Sequence, residues 1–239
     1  MTEIEVFIVC HDEKIIIEQE SSKKYTNIPL YRYIFVGNGS ISLLEQFGEK
    51  VIIARNLPDN IEQHKNLVAS TAWYAVYKNN LVRTPYISML EYDNVLSEHF
   101  YFANITTLLK QPQSMIGYII WPVLSSIYAD ATPFLQSSLQ KVYGINTFKL
   151  LSEYVQKTGK SFWSSTSNLT LDVKTFNEYM QWFLPIIEYL IECDNPLVAH
   201  VQERTFKIFN VLHPAVKSIF LPNVLRHIQL KSHKIEALI

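Results

Sequence analysis

The chain has 239 residues, of which 48% are hydrophobic and 18% are charged; this composition describes an ordered protein with one sizeable core and excludes intrinsic disorder. Its net charge of −1 provides no excess of positive charge for a polyanion, so the composition disfavours a nucleic-acid partner. Two cysteines, Cys10 and Cys193, are too few for a disulfide framework and are typical of a reducing compartment.

The N-terminus and the apolar segments predict a soluble, cytoplasmic protein. The first residues include acids where a secretory signal peptide carries bases. One apolar run, 115–129, is shorter than the roughly 20 residues needed to cross a bilayer, and Pro122 interrupts it. We therefore expect this run to be buried core and not a transmembrane segment.

The first third of the chain alternates between apolar runs and polar segments. Four runs have the short, β-branched and aromatic composition of strands that are covered on both faces. They are 4–10, 33–36, 51–54 and 86–90. Between the last two, the spacing of apolar residues predicts a helix over 61–78, with Asp59 or Asn60 as its N-terminal cap.

The remainder of the chain is richer in helical patterns. Helices are predicted over 97–111, 133–158, 173–193 and 199–212, with Pro185 kinking or splitting the third. Strand-like residues end the polar segment 163–171 and return at 218–222. No repeat or flexible linker interrupts the sequence, so we expect a single domain over 1–239. The fold class predicted is α/β, with a Rossmann-like, mostly parallel central sheet flanked by helices and a helix-rich C-terminal half.

Polar side chains follow three of the predicted strands. Cys10 and His11 end the first strand, Arg55 follows the third, and Glu91 and Asp93 follow the fourth. In a parallel α/β sheet ligands bind at the carboxyl ends of the strands, so we expect these side chains to converge on a site.

Glu91 and Asp93 are candidate metal ligands. Alternate residues of a strand face the same side, so both carboxylates can point the same way as the strand ends. Hard oxygen ligands suit Mg²⁺ or Mn²⁺, and a divalent ion of this kind can hold a diphosphate. The alternative is a pair of solvated turn residues.

Several common catalytic and cofactor motifs are absent. The first strand is followed by His-Asp-Glu-Lys where a dinucleotide-binding site needs its Gly-x-Gly-x-x-Gly, which disfavours NAD chemistry. The sequence also lacks a P-loop, a Gly-x-Ser-x-Gly elbow and a His-Glu-x-x-His zinc motif.

The start of the predicted helix over 61–78 is a candidate for nucleotide contacts. Lys65 and Asn66 there can contact a base, ribose or phosphate, and the alternative is a solvated polar face. Because a parallel sheet brings strand ends and helix starts together, we expect one nucleotide pocket. Its predicted lining is Val9, Cys10, His11, Arg55, Lys65 and Asn66.

Two further polar clusters lie late in the chain. His200, Glu203 and Arg204 share one face of a predicted helix and form either a pocket wall or ordinary surface charges. The tail from Arg226 to 234 includes His233 and several other cationic groups. It either folds back over a diphosphate or is solvated.

Three of these features together resemble the nucleotide-sugar half of GT-A glycosyltransferases. The first strand ends in the polar segment CHDEK, and HKNLVAS at 64–70 is similar to the Arg-Asn-x-(Gly/Ala) helix start of that family. LEYDNVL matches the family's Asp-x-Asp position, with Glu91 in place of the first Asp. Segments 163–183 and 199–209 and the terminal Ser-His are similar to a polysaccharide-synthesis subgroup that includes bacterial capsule-type transferases and a chlorovirus capsid-glycosylating enzyme.

The resemblance implies a hexosyl- or deoxyhexosyltransferase that uses a nucleotide-diphosphate sugar, commonly UDP-linked, and a glycan or glycoconjugate acceptor. It implies Mn²⁺ or Mg²⁺ at Glu91 and Asp93, with Glu91, Tyr92 and His233 also contacting the donor. Residues 1–96 would then form the nucleotide-sugar half of the domain, and residues 97–239 the acceptor side.

The second half offers two candidates for the catalytic base. In an inverting reaction Glu203, or failing that His200, would deprotonate the acceptor hydroxyl. In a retaining reaction the same groups would bind the acceptor or stabilise an oxocarbenium-like centre. Two other functions stay open: a non-catalytic nucleotide- or carbohydrate-binding module on the same fold, and a nucleotidyltransferase, which would normally show a glycine-rich basic loop after the first strand.

Overall fold

The computed structural model describes residues 3–118, 125–159, 167–193 and 195–227. Within these ranges the strands, in chain order, are β1 (Ile4–Cys10), β2 (Tyr31–Phe35), β3 (Val51–Ile53), β4 (Tyr86–Glu91), β5 (Asn94–Leu96), β6 (Ser114–Tyr118), β7 (Leu169–Asp172), β8 (Lys217–Leu221) and β9 (Leu225–His227). The α-helices are α1 (Glu13–Ser21), α2 (Ile41–Leu44), α3 (Ala69–Lys78), α4 (Phe100–Lys110), α5 (Ser125–Tyr143), α6 (Thr147–Thr158), α7 (Val173–Ile191) and α8 (Val201–Leu212). Short 3₁₀ helices lie at Glu45–Lys50, Ala54–Asn56, Lys65–Leu67 and Pro196–His200.

A seven-stranded sheet organises the molecule in the order β3-β2-β1-β4-β7-β6-β8. The first four of these strands are parallel, β7 runs antiparallel to both of its neighbours, and β8 is parallel to β6. All strands but β7 therefore point the same way, which confirms the predicted mostly parallel α/β sheet. The carboxyl ends of β1, β2, β3 and β4 lie together at one edge.

Two apolar layers cover the two faces of the sheet. On one face, Trp73 of α3 is fully buried against Phe176 and Tyr179 of α7 and Phe206 of α8, with ring centroids 5.3 to 5.7 Å away. On the other, alternate residues of β1 pack with α1 and α4. Because β1 is buried on both faces, its sequence is a continuous apolar run with one exception, Glu5.

A small second sheet connects the C-terminal region to the segment after β4. β5 pairs with β9 in antiparallel register, so that Asn94 lies opposite residue 227. Asn94 follows Asp93 directly in the sequence. The end of β9 therefore lies next to the segment that follows the carboxyl end of β4.

The predicted helix over 61–78 is wrong at its start. α3 begins only at Ala69, and Lys65–Leu67 is a separate 3₁₀ turn. Val68 separates the two with a positive φ of 41°, a conformation that no helix contains. Asn60 does not cap the helix, because its side chain accepts a hydrogen bond at 3.3 Å from the N–H of Glu62 within a turn.

Other elements also differ from the sequence-based expectation. The helix predicted over 133–158 is two helices, because Gly144 turns the chain at φ 65° and Asn146 caps α6 through the N–H of Lys149. Pro185 does not split α7, which is continuous from Val173 to Ile191. The polar segment after β1 opens a helix that was not predicted from the sequence, since Asp12 accepts the N–H of Lys14 as the cap of α1.

The apolar run 115–129 is divided between elements. Its first residues belong to β6, where Met115, Ile116 and Tyr118 are buried as expected. Residues 119–124 lie outside the described residues, and α5 begins at Ser125. No helix within the described ranges is both long and apolar enough to span a membrane.

Candidate active site

The Glu91–Asp93 turn lies at the carboxyl end of β4, next to the end of β1. Val9 pairs with Glu91 across the two strands, and the N–H of Tyr92 donates to the carbonyl of Val9 at 3.0 Å. β1 in turn ends beside β2, with Cys10 opposite Phe35. The predicted site residues at the ends of these strands are therefore brought to one edge of the sheet.

The backbone of this turn is held by two side chains from the α1 region. The carbonyl of Tyr92 accepts hydrogen bonds from Gln19 Nε2 at 2.8 Å and from Lys24 Nζ at 3.0 Å. Both donors are more than 60 residues away in sequence, and neither was a candidate in the sequence analysis. Together with the bond to Val9, they fix the peptide that leads into Asp93.

A buried amide network holds the other side of the turn. Asn168 Oδ1 accepts the N–H of Glu91 at 2.7 Å and Asn94 Nδ2 at 2.9 Å. Asn94 Nδ2 also donates to the carbonyl of Glu91 at 2.7 Å. Both asparagines are buried, so the network connects the segment before β7 rigidly to the end of β4.

Glu91 lies among other carboxylates. Burial, together with the nearby charges of Asp93 and Glu203, raises the pKa of its carboxyl to about 8, against a hydrogen bond from Ser167 that lowers it. A group with this pKa is mostly protonated at neutral pH. A cation bound here would reverse that balance, because it favours the charged form.

Asp93 has a different neighbour, Lys24. Burial lowers the pKa of the Lys24 ammonium, and the carboxylate of Asp93 opposes that effect. The turn therefore presents one carboxylate beside a half-buried lysine and one beside Ser167 and Glu203.

These two carboxylates fit a divalent cation as a partial ligand set. Their oxygens are the hard ligands that Mg²⁺ and Mn²⁺ prefer. Over the described part of the chain no group of three or more His, Cys, Asp and Glu side chains is arranged to hold a metal. Glu91 and Asp93 would therefore share the ion with oxygens of a substrate or of water.

The pKa of Glu91 predicts a pH-dependent stability. The ordinary pKa of this carboxyl is 4.5 and the folded value is about 8, so the folded state binds the proton more tightly. Its contribution to the free energy of unfolding is complete below pH 4.5 and is lost as the pH rises through 8. Glu91→Gln, which mimics the protonated form, should flatten the decline in melting temperature between pH 5 and 8 without added divalent ions.

The matched control for that measurement is Glu98→Gln, which alters an exposed carboxylate seven residues away. It should keep the pH profile of the parent protein. An equally steep decline in Glu91→Gln and in the parent would show that Glu91 is not the group responsible.

A pocket of about 360 Å³ opens at the carboxyl ends of β1 and β2. Its walls come from the segments that follow these two strands and from the region before α3. They are His11, Val36, Gly37, Asn38, Glu62, His64, Lys65, Val68 and Thr71. Two of the predicted nucleotide contacts, His11 and Lys65, line it, and the His11 ring lies edge-on to Tyr92 with centroids 5.0 Å apart. The pocket therefore adjoins the Glu91–Asp93 turn.

The other predicted donor residues lie around this pocket. Val9 and Cys10 are buried in β1, and burial raises the pKa of the Cys10 thiol to about 12. Arg55 Nη2 donates to the carbonyl of Gly39 at 3.1 Å and so supports the loop after β2. Asn66 lines a neighbouring cavity of about 370 Å³, which shares the wall His64–Lys65 with the first.

Glu62 is a pocket residue that the sequence analysis missed. Its Oε2 accepts the N–H of Gly37 at 2.9 Å and thereby holds the loop after β2. Gly37 has φ 136°, and a Cβ there would lie 3.3 Å from the carbonyl oxygen of His11, so a larger residue would be strained. The Gly-Asn-Gly sequence at 37–39 was the feature of the sequence that could have indicated an unusual backbone conformation in this loop.

The cluster of His200, Glu203 and Arg204 lies on the same side of the molecule. His200 ends the 3₁₀ turn Pro196–His200, which packs against Lys65–Leu67, and Glu203 lies in the first turn of α8. Glu203 Oε1 is 3.7 Å from His200 Nδ1, and its Oε2 is 3.6 Å from Arg204 Nη1. Because the charge of Glu203 also raises the pKa of Glu91, this cluster adjoins the end of β4.

The C-terminal segment reaches the same edge through β9. Arg226 is exposed next to β5, while His233 lies outside the described residues. The predicted role of His233 therefore stays a prediction.

Comparison with known proteins identifies the fold. No protein-family model and no curated protein matches the sequence. Among solved structures, the bifunctional glycosyltransferase WbbM matches with a TM-score of 0.60 and 13% identity, over 95% of this chain and 45% of that chain. Glucosyl-3-phosphoglycerate synthase from Mycobacterium tuberculosis, solved with Mn²⁺ and UDP-glucose, matches with a TM-score of 0.51 and 11% identity, over 95% and 71% of the two chains.

The molecule thus has the GT-A fold of nucleotide-diphospho-sugar transferases, as the sequence resemblance implied. It spans less than half the length of the WbbM chain.

Proposed function

We propose that this chain is a glycosyltransferase that moves a hexosyl or deoxyhexosyl group from a UDP-linked donor to a hydroxyl of a glycan or glycoconjugate. The observation that carries the proposal is one juxtaposition at the sheet edge. The pocket beside β1 and β2 adjoins the Glu91–Asp93 turn there, and the charge of the Glu203 carboxylate acts on Glu91. Residues 1–96 supply the donor side and residues 97–239 the acceptor side of one cytoplasmic domain.

The donor side follows from the pocket and the turn. His11 and Lys65 contact the nucleotide, and the Lys65 ammonium attracts the donor phosphates. Asp93 and Glu91 would hold a Mn²⁺ or Mg²⁺ ion, which would supply positive charge beside the departing diphosphate. Hydrogen bonds from Gln19, Lys24 and the neighbouring strand keep the turn in place before the donor arrives.

A solved structure with a similar fold supports UDP as the nucleotide of the donor and a divalent ion as the cofactor. The M. tuberculosis synthase was solved with Mn²⁺ and UDP-glucose, and its fold matches over 95% of this chain. In this chain two carboxylates stand at the end of the strand that leads into the site, and one of them has its pKa raised by burial and by like charge.

The acceptor side is formed by the cluster on α8. In an inverting reaction Glu203 takes the proton of the acceptor hydroxyl, with His200 as the second candidate. In a retaining reaction these groups bind the acceptor or stabilise positive charge at the anomeric carbon. Glu203 is only 17% exposed, so the base would act in a partly desolvated site.

A nucleotide-sugar panel tests the proposal. Melting temperatures of the full chain should be measured with UDP- and GDP-sugars, each with Mn²⁺ and with EDTA. We expect one UDP-sugar at about 100 times its dissociation constant to raise the melting temperature by several degrees, with Mn²⁺ only. Slow release of the free sugar should accompany the shift.

Each other outcome has a definite meaning. No shift with any donor would contradict a nucleotide-sugar site, and an equal shift in EDTA would contradict the metal. A metal-dependent shift with neither hydrolysis nor transfer to added glycans would indicate the non-catalytic binding module.

A further inference from the structure

Val68 has a strained backbone. It lies between the 3₁₀ turn Lys65–Leu67 and α3, with φ 41° and ψ −110°. Side chains branched at Cβ are rarely found at positive φ, because the branch collides with the backbone. Among the described residues, four that are not glycine have a positive φ, and Val68 is the only one of the four that is β-branched. The other three are Lys23, Asn80 and Asn223.

The side chain of Val68 does not offset this strain by packing in the core. It is 48% exposed and belongs to neither of the two buried apolar clusters. Val68 instead lines the 360 Å³ pocket, together with polar residues such as Asn38, Glu62 and Thr71. An exposed valine in a strained conformation is thus placed where the proposed donor binds.

The backbone break itself needs no valine. The carbonyl of Val68 accepts the N–H of Thr71 at 3.1 Å in the turn that opens α3, a bond that any residue can provide. Glycine adopts positive φ without a steric cost and would allow the same path of the chain. What valine adds over glycine at this position is an apolar surface facing the pocket.

We propose that Val68 is a nucleoside-binding residue, whose isopropyl group packs on the face of the donor's nucleobase. This inference rests on the proposed function, because it takes the pocket to be the nucleotide site. Strained residues cluster at ligand sites, where a surrounding structure holds them in place. The base would cover a side chain that otherwise faces water, which gives the contact an apolar driving force.

Two substitutions separate strain from binding. Val68→Gly removes both the strain and the isopropyl group, so the melting temperature should rise by a few degrees while UDP binds about 10-fold more weakly. Val68→Ala keeps a Cβ at positive φ and removes only the two methyl groups. It should weaken UDP binding similarly but raise the melting temperature less than Val68→Gly does, because the branch is gone while the Cβ remains at positive φ. Dissociation constants are measured by isothermal titration of the full chain with UDP and Mn²⁺.

The matched control is Val155→Ala. Val155 is a valine of α6 that is exposed to a similar extent, 42%, but does not line the pocket. It should leave the UDP affinity unchanged. Inorganic diphosphate, which has no base, should bind to the Val68 variants as it binds to the parent chain.

The results that overturn the inference are distinct from those that overturn the proposed function. UDP binding to both Val68 variants with the affinity of the parent chain would show that Val68 serves only the backbone. A lower melting temperature in Val68→Gly would refute the strain, and an equal loss of diphosphate binding would refute a base contact. If the parent chain itself binds neither UDP nor GDP, the proposed function fails and this inference fails with it.

Discussion

Asp93→Ala is expected to reduce turnover by on the order of 10²-fold or more, because a metal that stabilises charge on the departing diphosphate contributes several kcal/mol to the transition state. The variant keeps the hydrogen bonds that the backbone of the turn receives at the carbonyl of Tyr92 from Gln19 and at the carbonyl of Glu91 from Asn94. Activity is measured as sugar transfer or as slow donor hydrolysis at saturating Mn²⁺.

The structure sets the controls for this variant. Asp59→Ala removes an exposed carboxylate outside the pocket and should retain parental turnover. The melting temperature of Asp93→Ala must also be recorded, since the variant removes a negative charge close to the partly buried Lys24. Parental activity of Asp93→Ala, or full activity of the parent chain in EDTA, would exclude the metal role.

Four strands of the donor half, β1 to β4, were predictable because each is short, apolar and β-branched, whereas β5 (Asn94–Leu96) was not predicted. β1 was predicted to the residue, and β4 differs from its predicted end by the single residue Glu91. Burial on both faces requires a continuous apolar pattern. This pattern can be recognised in the sequence without knowing which strands are neighbours in the sheet. The order of the strands follows from parallel crossovers, and so the convergence of His11 and the Glu91–Asp93 turn could be expected as well.

Helix boundaries were less predictable because single residues decide them. The periodicity around 61–78 was real, yet the positive φ of Val68 moved the start of α3 to Ala69 and placed Lys65 on a separate turn. α1 was missed because its three consecutive isoleucines, at 15 to 17, have the pattern of a strand. In that segment the cap formed by Asp12 and the tertiary packing of Ile16 override the local pattern.

The supporting side chains of the site had no sequence signal. Asn168 and Gln19 hold the Glu91–Asp93 turn from positions 77 and 73 residues away along the chain. Each is a common polar residue in an unremarkable segment, and only the folded topology brings it to the end of β4. Asn168 accepts from the N–H of Glu91 and Gln19 donates to the carbonyl of Tyr92, and these backbone atoms mark no complementary residue type in the sequence.

Glu203→Gln is expected to lower kcat by on the order of 10²-fold or more while the dissociation constant of the donor stays near the parental value. Glutamine keeps the size of the side chain and its hydrogen bonding but cannot take a proton. A base acts only in the transition state, so its loss appears in kcat and not in ground-state binding. His200→Ala, measured in parallel, tests the second candidate, whose Nδ1 is 3.7 Å from Glu203 Oε1.

The competing explanation is that Glu203 serves the fold as a partner of Arg204. The Arg204 side chain is only 3% exposed, with its Nη1 3.6 Å from Glu203 Oε2, and removing the charge of one partner of a buried ion pair is strongly destabilising. A structural role would therefore lower the melting temperature of Glu203→Gln and leave kcat per folded molecule unchanged. A catalytic role would give the reverse. Near-parental kcat in both Glu203→Gln and His200→Ala would remove the base from this cluster.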